Sequence, residues 1–183
     1  MHKIISTFVL VVAINSIALS QIEKNTWMIG GSGNAYFGTN PSFMHITLNP
    51  NAGYFISDNW AIGLSSLVTT GFSSSAFGLI YVQGIYTRYY LNLSERVSLF
   101  PELRTGAGLI NKDSGGNFKM GYNSNLAFGA SFWINKNVAF EPKIDYTLYG
   151  SDIGSFVGPP LRLPTLNLGF QIYINRGEKK SAW

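Results

Sequence analysis

A strict two-residue alternation is the feature that most constrains this chain. In VAFEPKIDYTLYG (138–150), Glu141, Lys143 and Asp145 fall at every second position, and apolar residues occupy most of the positions around them. A period of two predicts a β-strand with two unlike faces. A soluble sheet would turn its apolar face to a core and its charges to water. A closed membrane barrel would turn the apolar face to lipid and the charges to its interior.

Composition separates these two interpretations. Hydrophobic residues make up 46% of the 183-residue chain and charged residues only 12%, whereas soluble domains carry about 25% charged residues. After Gln21, however, no apolar run reaches the roughly 20 residues that a membrane-spanning helix needs. A chain that is apolar and rich in aromatic residues, with room for one domain, therefore favours a membrane β-barrel.

The first twenty residues have the layout of a secretory signal peptide. His2 and Lys3 form a positive start, 4–14 is almost wholly apolar, and Ala18-Leu19-Ser20 places small residues at the cleavage positions before Gln21. The alternative, an anchoring helix, would need a longer apolar run. Because the chain has no cysteine, an acylated lipoprotein anchor, disulfides and thiolate metal sites are excluded.

The rest of the chain divides into strand-like runs joined by two kinds of connection. Eight runs are predicted, at 26–38, 42–56, 60–71, 77–91, 96–110, 118–133, 138–150 and 162–174. Short polar turns are predicted at 57–59, 92–95 and 134–137, and the other connections are loops at 39–41, 72–75, 110–117 and 151–161. This plan predicts an all-β, eight-stranded, antiparallel up-and-down transmembrane β-barrel. We expect a signal peptide over 1–20, the barrel over 21–175 and a short periplasmic tail over 176–183.

Two local features conflict with a regular barrel. In the fourth run, Ile80 and Val82 share a face with Arg88 while Gln83 falls on the lipid side, so a bulge is expected to change the phase. Proline removes a ladder hydrogen bond, and a closed barrel has no edge strand for it. A local bulge or an unpaired carbonyl is therefore expected at each of three positions: Pro50, Pro101 and Pro142.

Aromatic residues crowd at the predicted strand ends. One group is expected near the short turns: Trp27, Tyr54, Trp60, Tyr89, Phe132, Trp133 and Phe140. A second is expected near the loops: Phe37, Phe43, Phe72, Phe77, Phe118 and Tyr149. Two aromatic girdles that flank an apolar band are typical of membrane barrels. The simpler explanation, that aromatic residues favour strands, accounts for their number and not for their position.

With these features the chain resembles the small outer-membrane β-barrel superfamily, the OmpA-transmembrane, OmpX and OmpW-like proteins. The resemblance covers 21–175, and GYFISDNWAIG (53–63) is similar to its strand-turn-strand units. The last strand resembles the family's assembly signal at Asn167, Gly169, Ile172 and Ile174. The resemblance implies a porin-like protein in the outer membrane of a Gram-negative cell, with membrane lipid and the barrel-assembly machinery as partners.

Six charged residues share the inward face of their strands: Arg88, Glu102, Arg104, Glu141, Lys143 and Asp145. Three cations and three carboxylates balance exactly in number, and buried charges must be paired to be tolerated. An eight-stranded barrel is just wide enough for side chains to fill it. The set is therefore predicted to form a neutral ion-pair plug. A proton relay or gate is the functional alternative.

Three functions follow from this plan. The leading one is a non-enzymatic barrel with a structural or partner-binding role, alone or in a larger envelope complex. The second is a barrel that binds or transports a small apolar ligand in a cavity in its outer half, lined by Leu67, Ile80, Val82, Gly106, Gly108, Gly121 and Leu163. The third is an acyl-transfer or hydrolase enzyme at the rim, built on His45, Ser42, Asp113 and Asp152.

Catalysis ranks last because a lone inward histidine is more often a packing residue than part of a triad. No cofactor is expected, and a single histidine after the signal peptide, without cysteine, has no metal-ligand spacing. Loss of Lys3 with the signal peptide lowers the net charge from +4 to +3. The basic residues are scattered, so nucleic acid is not an expected partner.

Overall fold

The computed structural model describes residues 22–37, 44–73, 76–111, 118–149 and 164–175. Within those ranges, no helix is long and apolar enough to cross a membrane. The described residues form a ten-stranded sheet. Its strands are β1 (Thr26–Phe37), β2 (Met44–Ser57), β3 (Trp60–Ser73), β4 (Ala76–Tyr89), β5 (Leu91–Ser94), β6 (Val97–Asn111), β7 (Phe118–Asn135), β8 (Val138–Phe140), β9 (Lys143–Tyr149) and β10 (Thr165–Asn175).

The ten strands occupy eight strand positions around the barrel, which we call staves, because β5 continues β4 and β9 continues β8. Strands β4 and β5 both pair with β6 and are separated only at Tyr90, whose amide donates to the Asn59 carbonyl at 2.8 Å. Strands β8 and β9 both lie between β7 and β10 and are separated at Glu141 and Pro142. Since all pairings are antiparallel and β1 pairs with both β2 and β10, the sheet closes on itself. The predicted fold class, an eight-stranded up-and-down barrel, is confirmed.

The strands are staggered by ten residues around the barrel. A path that moves from each residue to its direct partner on the next stave goes once around the barrel and returns to the strand where it began. It starts at Asn123 and passes through Gly106, Gly84, Ser65, Asn51, Gly30, Gln171 and Ala139 to Trp133. Asn123 and Trp133 both belong to β7, ten positions apart. A stagger of this size tilts the strands by roughly 40° to the barrel axis. The interior therefore stays narrow and is filled by side chains.

The two faces of the sheet are inverted relative to a soluble protein. Leu126 in β7 is 60% exposed, while its neighbours Asn125 and Ala127 are 4% and 2% exposed. Polar and charged side chains line the interior, and large apolar side chains cover the outer wall. An exterior of this kind is stable in lipid and not in water. The alternation that starts at Val138 therefore places its charges inside and its apolar residues outside.

Three two-residue turns lie at one end of the barrel, which we call the turn end. They are 58–59, 95–96 and 136–137. All three predicted turns begin too early, because Ser57 belongs to β2, 92–94 belong to β5, and Ile134 and Asn135 belong to β7. Asn92 is a buried interior residue that bonds to Ser98, and interior amides have the same composition as turns. The strand ends opposite the turn end define the loop end. Residues 1–21, 38–43, 74–75, 112–117, 150–163 and 176–183 lie outside the described residues.

The expected bulge in the fourth run is wrong. The β3–β4 register is unbroken from Trp60↔Tyr89 to Ser73↔Ala76, and Gln83 simply faces outward. Val82 stays inside because Gly108 lies opposite it in β6 and leaves room for its side chain. Strand β4 therefore has apolar Ile80 and Val82 on its inner face and polar Gln83 on its outer face, with the two-residue alternation unbroken.

The three prolines behave differently from one another. At Pro101 the β6–β7 register is unbroken, while the ladder on the other side of β6 omits 100–101, between β4 and β5, and resumes in the same register, so there is no bulge. At Pro50 the β1–β2 register is also unbroken, while the β2–β3 ladder omits 49–50 and resumes in the same register. Pro142 alone interrupts a stave, between β8 and β9, and its carbonyl accepts from the Ala130 amide at 3.0 Å.

The turn-end aromatic girdle is present with one correction. Trp27, Trp60, Tyr89 and Phe132 are 41–46% exposed on the outer wall. Trp133 lies inside instead, because its position in β7 alternates with that of Phe132; its Nε1 donates to the Ser98 hydroxyl at 3.2 Å. The predicted loop-end girdle, Phe37, Phe43, Phe72, Phe77, Phe118 and Tyr149, falls outside the residues whose side chains are described.

Apolar and aromatic side chains close the turn end from within. Five rings form an aromatic cluster with centroid distances of 4.5–6.3 Å: Phe55, Tyr90, Phe100, Trp133 and Tyr173. Ile22 precedes the first strand and packs into the same core at 8% exposure. Its backbone amide donates to the Asn59 side chain at 3.0 Å, and its carbonyl accepts from the Asn59 amide at 2.9 Å. The segment before β1 is thus part of the closure.

Asn59 is the hub of this closure and gives a first prediction. It has a positive φ of 62°, and its Oδ1 accepts from both Ile22 and Asn92. Asn59→Ala removes two hydrogen bonds of about 1 kcal/mol each and adds roughly 1–2 kcal/mol of left-handed strain. We expect the free energy of unfolding, measured with urea in lipid vesicles, to fall by about 3–4 kcal/mol. Asn59→Gly loses only the two hydrogen bonds and serves as the control; equal losses for Ala and Gly would contradict the role of the backbone conformation.

Candidate functional site

The structure brings all six inward charges together. Arg88 lies in β4, Glu102 and Arg104 lie in β6, and Lys143 and Asp145 lie in β9, with Glu141 just before β9. Spacing by two residues puts each group on the inner face of its strand. Because β6 and β7 separate β4 from β9, the contacts cross the interior and do not merely follow one ladder. The resulting charged layer lies directly above the aromatic cluster and contacts it.

Glu102 is the central acceptor of this layer. Its Oε2 accepts from Arg88 Nε at 2.8 Å and from Arg88 Nη2. Its Oε1 accepts from Arg104 Nη2 at 2.7 Å and from Lys143 Nζ at 3.0 Å. The side chain is 2% exposed. One carboxylate thus compensates three cations: Arg104 from its own strand, Arg88 from the neighbouring stave and Lys143 from two staves away.

Glu141 joins the charged layer to the aromatic cluster. Its Oε2 accepts from Arg88 Nη1 at 2.7 Å. Its Oε1 accepts from the Ser131 hydroxyl at 2.6 Å and from the Tyr173 hydroxyl at 2.8 Å, with Tyr90 at 3.3 Å. Both oxygens of this buried carboxylate have donors, which is what makes a buried charge tolerable.

The Arg88 guanidinium is enclosed by rings as well as by carboxylates. Its central carbon lies 4.3 Å from the Phe100 ring centroid and 5.6 and 5.7 Å from those of Tyr86 and Tyr90. Contacts of a buried cation with aromatic faces add to its ion pairs. The planar guanidinium suits this environment better than a lysine ammonium would, because it can stack and donate in several directions.

Asp145 occupies the weakly bound edge of the layer. Its carboxylate oxygens lie 3.8 Å from Arg104 Nη2 and from Lys143 Nζ, beyond hydrogen-bond distance. Within the described part of the chain, Asp145 Oδ1 and Arg104 Nε have no hydrogen-bond partner. The layer is therefore tightly bonded on its turn side and loosely bonded on its loop side, where it borders a small cavity.

That cavity measures about 40 Å³ and is lined by Asn34, Thr47, Asn49, Leu67, Thr69, Ile80, Asp145, Thr147, Thr165 and Asn167. Amides and hydroxyls predominate, so the space suits water better than an apolar molecule. Of the residues predicted to form an apolar cavity, Leu67 and Ile80 line it. Val82 is buried on the inner face without lining it, and the predicted glycines, Gly106, Gly108 and Gly121, lie in the wall outside its lining. Leu163 lies outside the described residues.

The other candidate residues are placed separately from the charged layer. Asn167 and Gly169 face inward in β10, while Ile172 and Ile174 are 50% and 47% exposed on the outer wall. His45 pairs with Gly71 and faces inward, and its proposed partners Ser42, Asp113 and Asp152 fall outside the described residues. The described ranges contain no group of three His, Cys, Asp or Glu that could hold a metal ion.

Sequence reasoning missed the neutral half of the site. Tyr90, Phe100, Ser131 and Tyr173 each contact a member of the charged layer. The two-residue alternation places them on the inner face, since Tyr90 follows Arg88 by two residues and Phe100 precedes Glu102 by two. Parity alone could therefore have placed them inside. It could not have paired Ser131, Tyr173 and Tyr90 with Glu141, since these contacts join different staves and the one from Tyr90 crosses the interior.

No protein-family model matches the chain, and the comparison with curated proteins gives no match either. Solved structures do match. The N-terminal β-barrel domain of Pseudomonas aeruginosa OprF superposes with a TM-score of 0.58 at 13% identity, over 85% of this chain and 100% of that one. The chain has the fold of the small outer-membrane β-barrels. Neisserial surface protein A gives a TM-score of 0.56 at 15% identity, over 80% of this chain and 94% of that one.

Removal of one buried charge tests the inverted arrangement. Glu141→Ala leaves Arg88 without one of its two carboxylates in a site that is 2% exposed. We therefore expect the free energy of unfolding to fall by about 3–5 kcal/mol. Ile144→Ala, at a 56% exposed outer position, should cost about 1 kcal/mol or less because it opens no protein cavity. Urea unfolding of both variants from the same lipid vesicles measures the difference. A larger loss for Ile144→Ala would contradict the assignment of the two faces.

Proposed function

We propose that this protein is a non-enzymatic outer-membrane barrel with a closed interior and a structural or partner-binding role in the envelope. The observation that carries the proposal is the double closure of the interior. The charged layer fills the middle, and the aromatic cluster with Ile22 fills the turn end. An interior filled in this way favours a scaffold or a docking partner over a conducting pore.

The proposed location rests on three supports. The outer wall is apolar with an aromatic girdle at the turn end. The likeness to OprF and Neisserial surface protein A is to barrels of the outer membrane. The first twenty residues have the layout of a signal peptide, with cleavage expected before Gln21. In this proposal the loop end faces the outside of a Gram-negative cell and the turn end faces the periplasm, with outer-membrane lipid and the barrel-assembly machinery as partners.

The geometry gives little support to the other two functions. A cavity of about 40 Å³ is far below the roughly 300 Å³ at which ligand pockets begin. Its lining is mostly polar, so an apolar ligand would lose the contacts that bind it. His45 is a single inward histidine, and its proposed partners Ser42, Asp113 and Asp152 lie outside the described residues. The structural or partner-binding role is therefore the one we retain.

Surface labelling tests the proposed location and topology. Epitope tags inserted at Ser114 or Ser155, in the connections at the loop end, should be accessible to antibody on intact cells. A tag after Lys180 should become accessible only when the outer membrane is permeabilised. The mature protein should fractionate with the outer membrane and begin at Gln21. Labelling of the Lys180 tag on intact cells would reverse the orientation.

Conductance measurements test the closure. Wild-type protein in planar lipid bilayers should show no current steps above those of a protein-free bilayer. The double variant Arg88→Ala/Glu141→Ala removes one cation and one carboxylate and so keeps the interior neutral while shortening two side chains that cross it. We expect this variant to pass small ions. Ile144→Ala is the matched control on the outer wall and should stay closed, with heat-dependent gel mobility used to verify that all three are folded. Regular current steps from the wild type would contradict the closed interior.

A further inference from the structure

Polar side chains cross the lipid-facing wall on one side of the barrel. They are Ser66 in β3, Gln83 in β4, Thr105 in β6 and Ser124 in β7, and together we call them the polar belt. Ser66 is paired with Gln83 and Thr105 with Ser124. Thr105 is opposite Ile85, two positions from Gln83. The four residues therefore occupy neighbouring positions on four consecutive staves.

The polar belt lies near the middle of the apolar band. Gln83 is six residues from Tyr89 along β4, and Ser66 is six residues from Trp60 along β3, where Tyr89 and Trp60 belong to the turn-end girdle. With a rise of about 3.3 Å per residue and a tilt of roughly 40°, six residues span about 15 Å along the barrel axis. This is about the centre of an apolar band roughly 25 Å tall.

Hydrogen bonds within the polar belt satisfy only part of it. The Ser66 hydroxyl donates to Gln83 Oε1 at 2.6 Å, and the Tyr81 hydroxyl donates to the same oxygen at 3.0 Å. Thr105 and Ser124 share a hydrogen bond of 3.3 Å. The other end of the exposed Gln83 amide has no hydrogen-bond partner among the residues that the structure describes. Lipid chains offer none, so the group is costly unless another molecule supplies one.

The opposite wall shows that this polarity is local. Outward positions there carry large apolar side chains, with Ile144, Leu166 and Leu168 exposed by 56%, 61% and 52%. Such a wall needs nothing but lipid. A polar lipid-facing position in a membrane protein is expensive and usually marks a contact or a functional path. The polar belt therefore distinguishes one side of the barrel as a contact surface.

An apolar groove adjoins the polar belt on its turn side. It encloses about 600 Å³, and its lining includes Leu64, Ile85, Leu103 and Thr105, the last of which is also a member of the belt. A concave surface on a barrel wall can receive side chains that project from a neighbour. The groove provides apolar contact area, while the belt provides hydrogen-bonding groups at one depth.

We propose that two copies of this chain associate side by side through the polar belt and the adjoining groove. The proposal rests on the proposed membrane location. Two copies in one membrane share the same orientation, so a two-fold axis along the membrane normal brings equal depths together. Under that symmetry a surface must complement itself. The belt does so, because the free end of the Gln83 amide can donate to the hydroxyl oxygens of Ser66 and Tyr81 in the second copy.

A second copy fits these observations better than lipid does. Acyl chains could fill the groove and would leave the Gln83 amide unsatisfied. A different spanning protein would need a polar group at this same depth, whereas the second copy carries one by symmetry. Side-chain hydrogen bonds in membranes contribute modestly, and two of them in a symmetric dimer add to the packing of the groove.

Cysteine crosslinking in outer-membrane vesicles tests the dimer, and the natural chain contains no cysteine. Ala107 faces lipid and lies opposite Gln83 in the next stave. Ala107→Cys, treated with a short bis-maleimide, should give a band at twice the monomer mass. Leu168→Cys on the opposite wall is the matched control and should give none. Adding Gln83→Leu to Ala107→Cys should lower the dimer yield about tenfold, as expected for the loss of roughly 1.4 kcal/mol.

The same samples separate failure of the dimer from failure of the proposed function. Fractionation and heat-dependent gel mobility show whether each variant is a folded barrel in the outer membrane. If Ala107→Cys is folded there and gives no dimer band, or a band with a protein of another mass, the dimer is wrong and the location stands. An unchanged yield with Gln83→Leu also overturns the role of the belt. Absence of folded protein from the outer membrane contradicts the proposed function itself.

Discussion

The bonding of Glu102 to three cations is the interaction on which the interior depends. A closed barrel of eight staves forces its inward side chains together, and one carboxylate that accepts from Arg88, Arg104 and Lys143 ties the staves of β4, β6 and β9 to each other. Buried ion pairs gain little over apolar packing when intact and cost much when broken. The charged layer therefore contributes more to selecting one arrangement of the staves than to the free energy of folding.

The interior changes character along the barrel axis. At the turn end, rings and aliphatic side chains exclude water. In the middle, Glu141 accepts hydrogen bonds from Arg88, Ser131 and Tyr173 and joins the rings to the charges. Toward the loop end, Asp145 is held at 3.8 Å from its cations beside a small cavity lined mainly by amides and hydroxyls. The closure is tightest at the periplasmic side of the proposed topology and loosens outward.

A single rule governs both faces of the sheet: a polar group that water cannot reach must find a partner. Inside the barrel, Glu141 has partners in Arg88 and in the hydroxyls of Ser131, Tyr173 and Tyr90. Outside, Gln83 meets it only in part, through Ser66 and Tyr81. The partners of Glu141 come from within one chain, whereas in our proposal the free end of the Gln83 amide finds its partner in a second molecule. That difference is why the polar belt is informative about association.

The sequence by itself determined the strands, their number and their faces. Period-two alternation assigns Ile144 outward and Lys143 inward without any coordinates, since successive side chains point to opposite sides of a strand. Short-range patterns failed where interior amides resembled a turn, as at Asn92, and where glycine across the ladder admitted Val82 without a bulge. Only the tertiary structure decided which charges meet. The ten-residue stagger and the closure of the sheet bring Glu141 to Arg88 and Tyr173, contacts between residues far apart in the chain that no local pattern encodes.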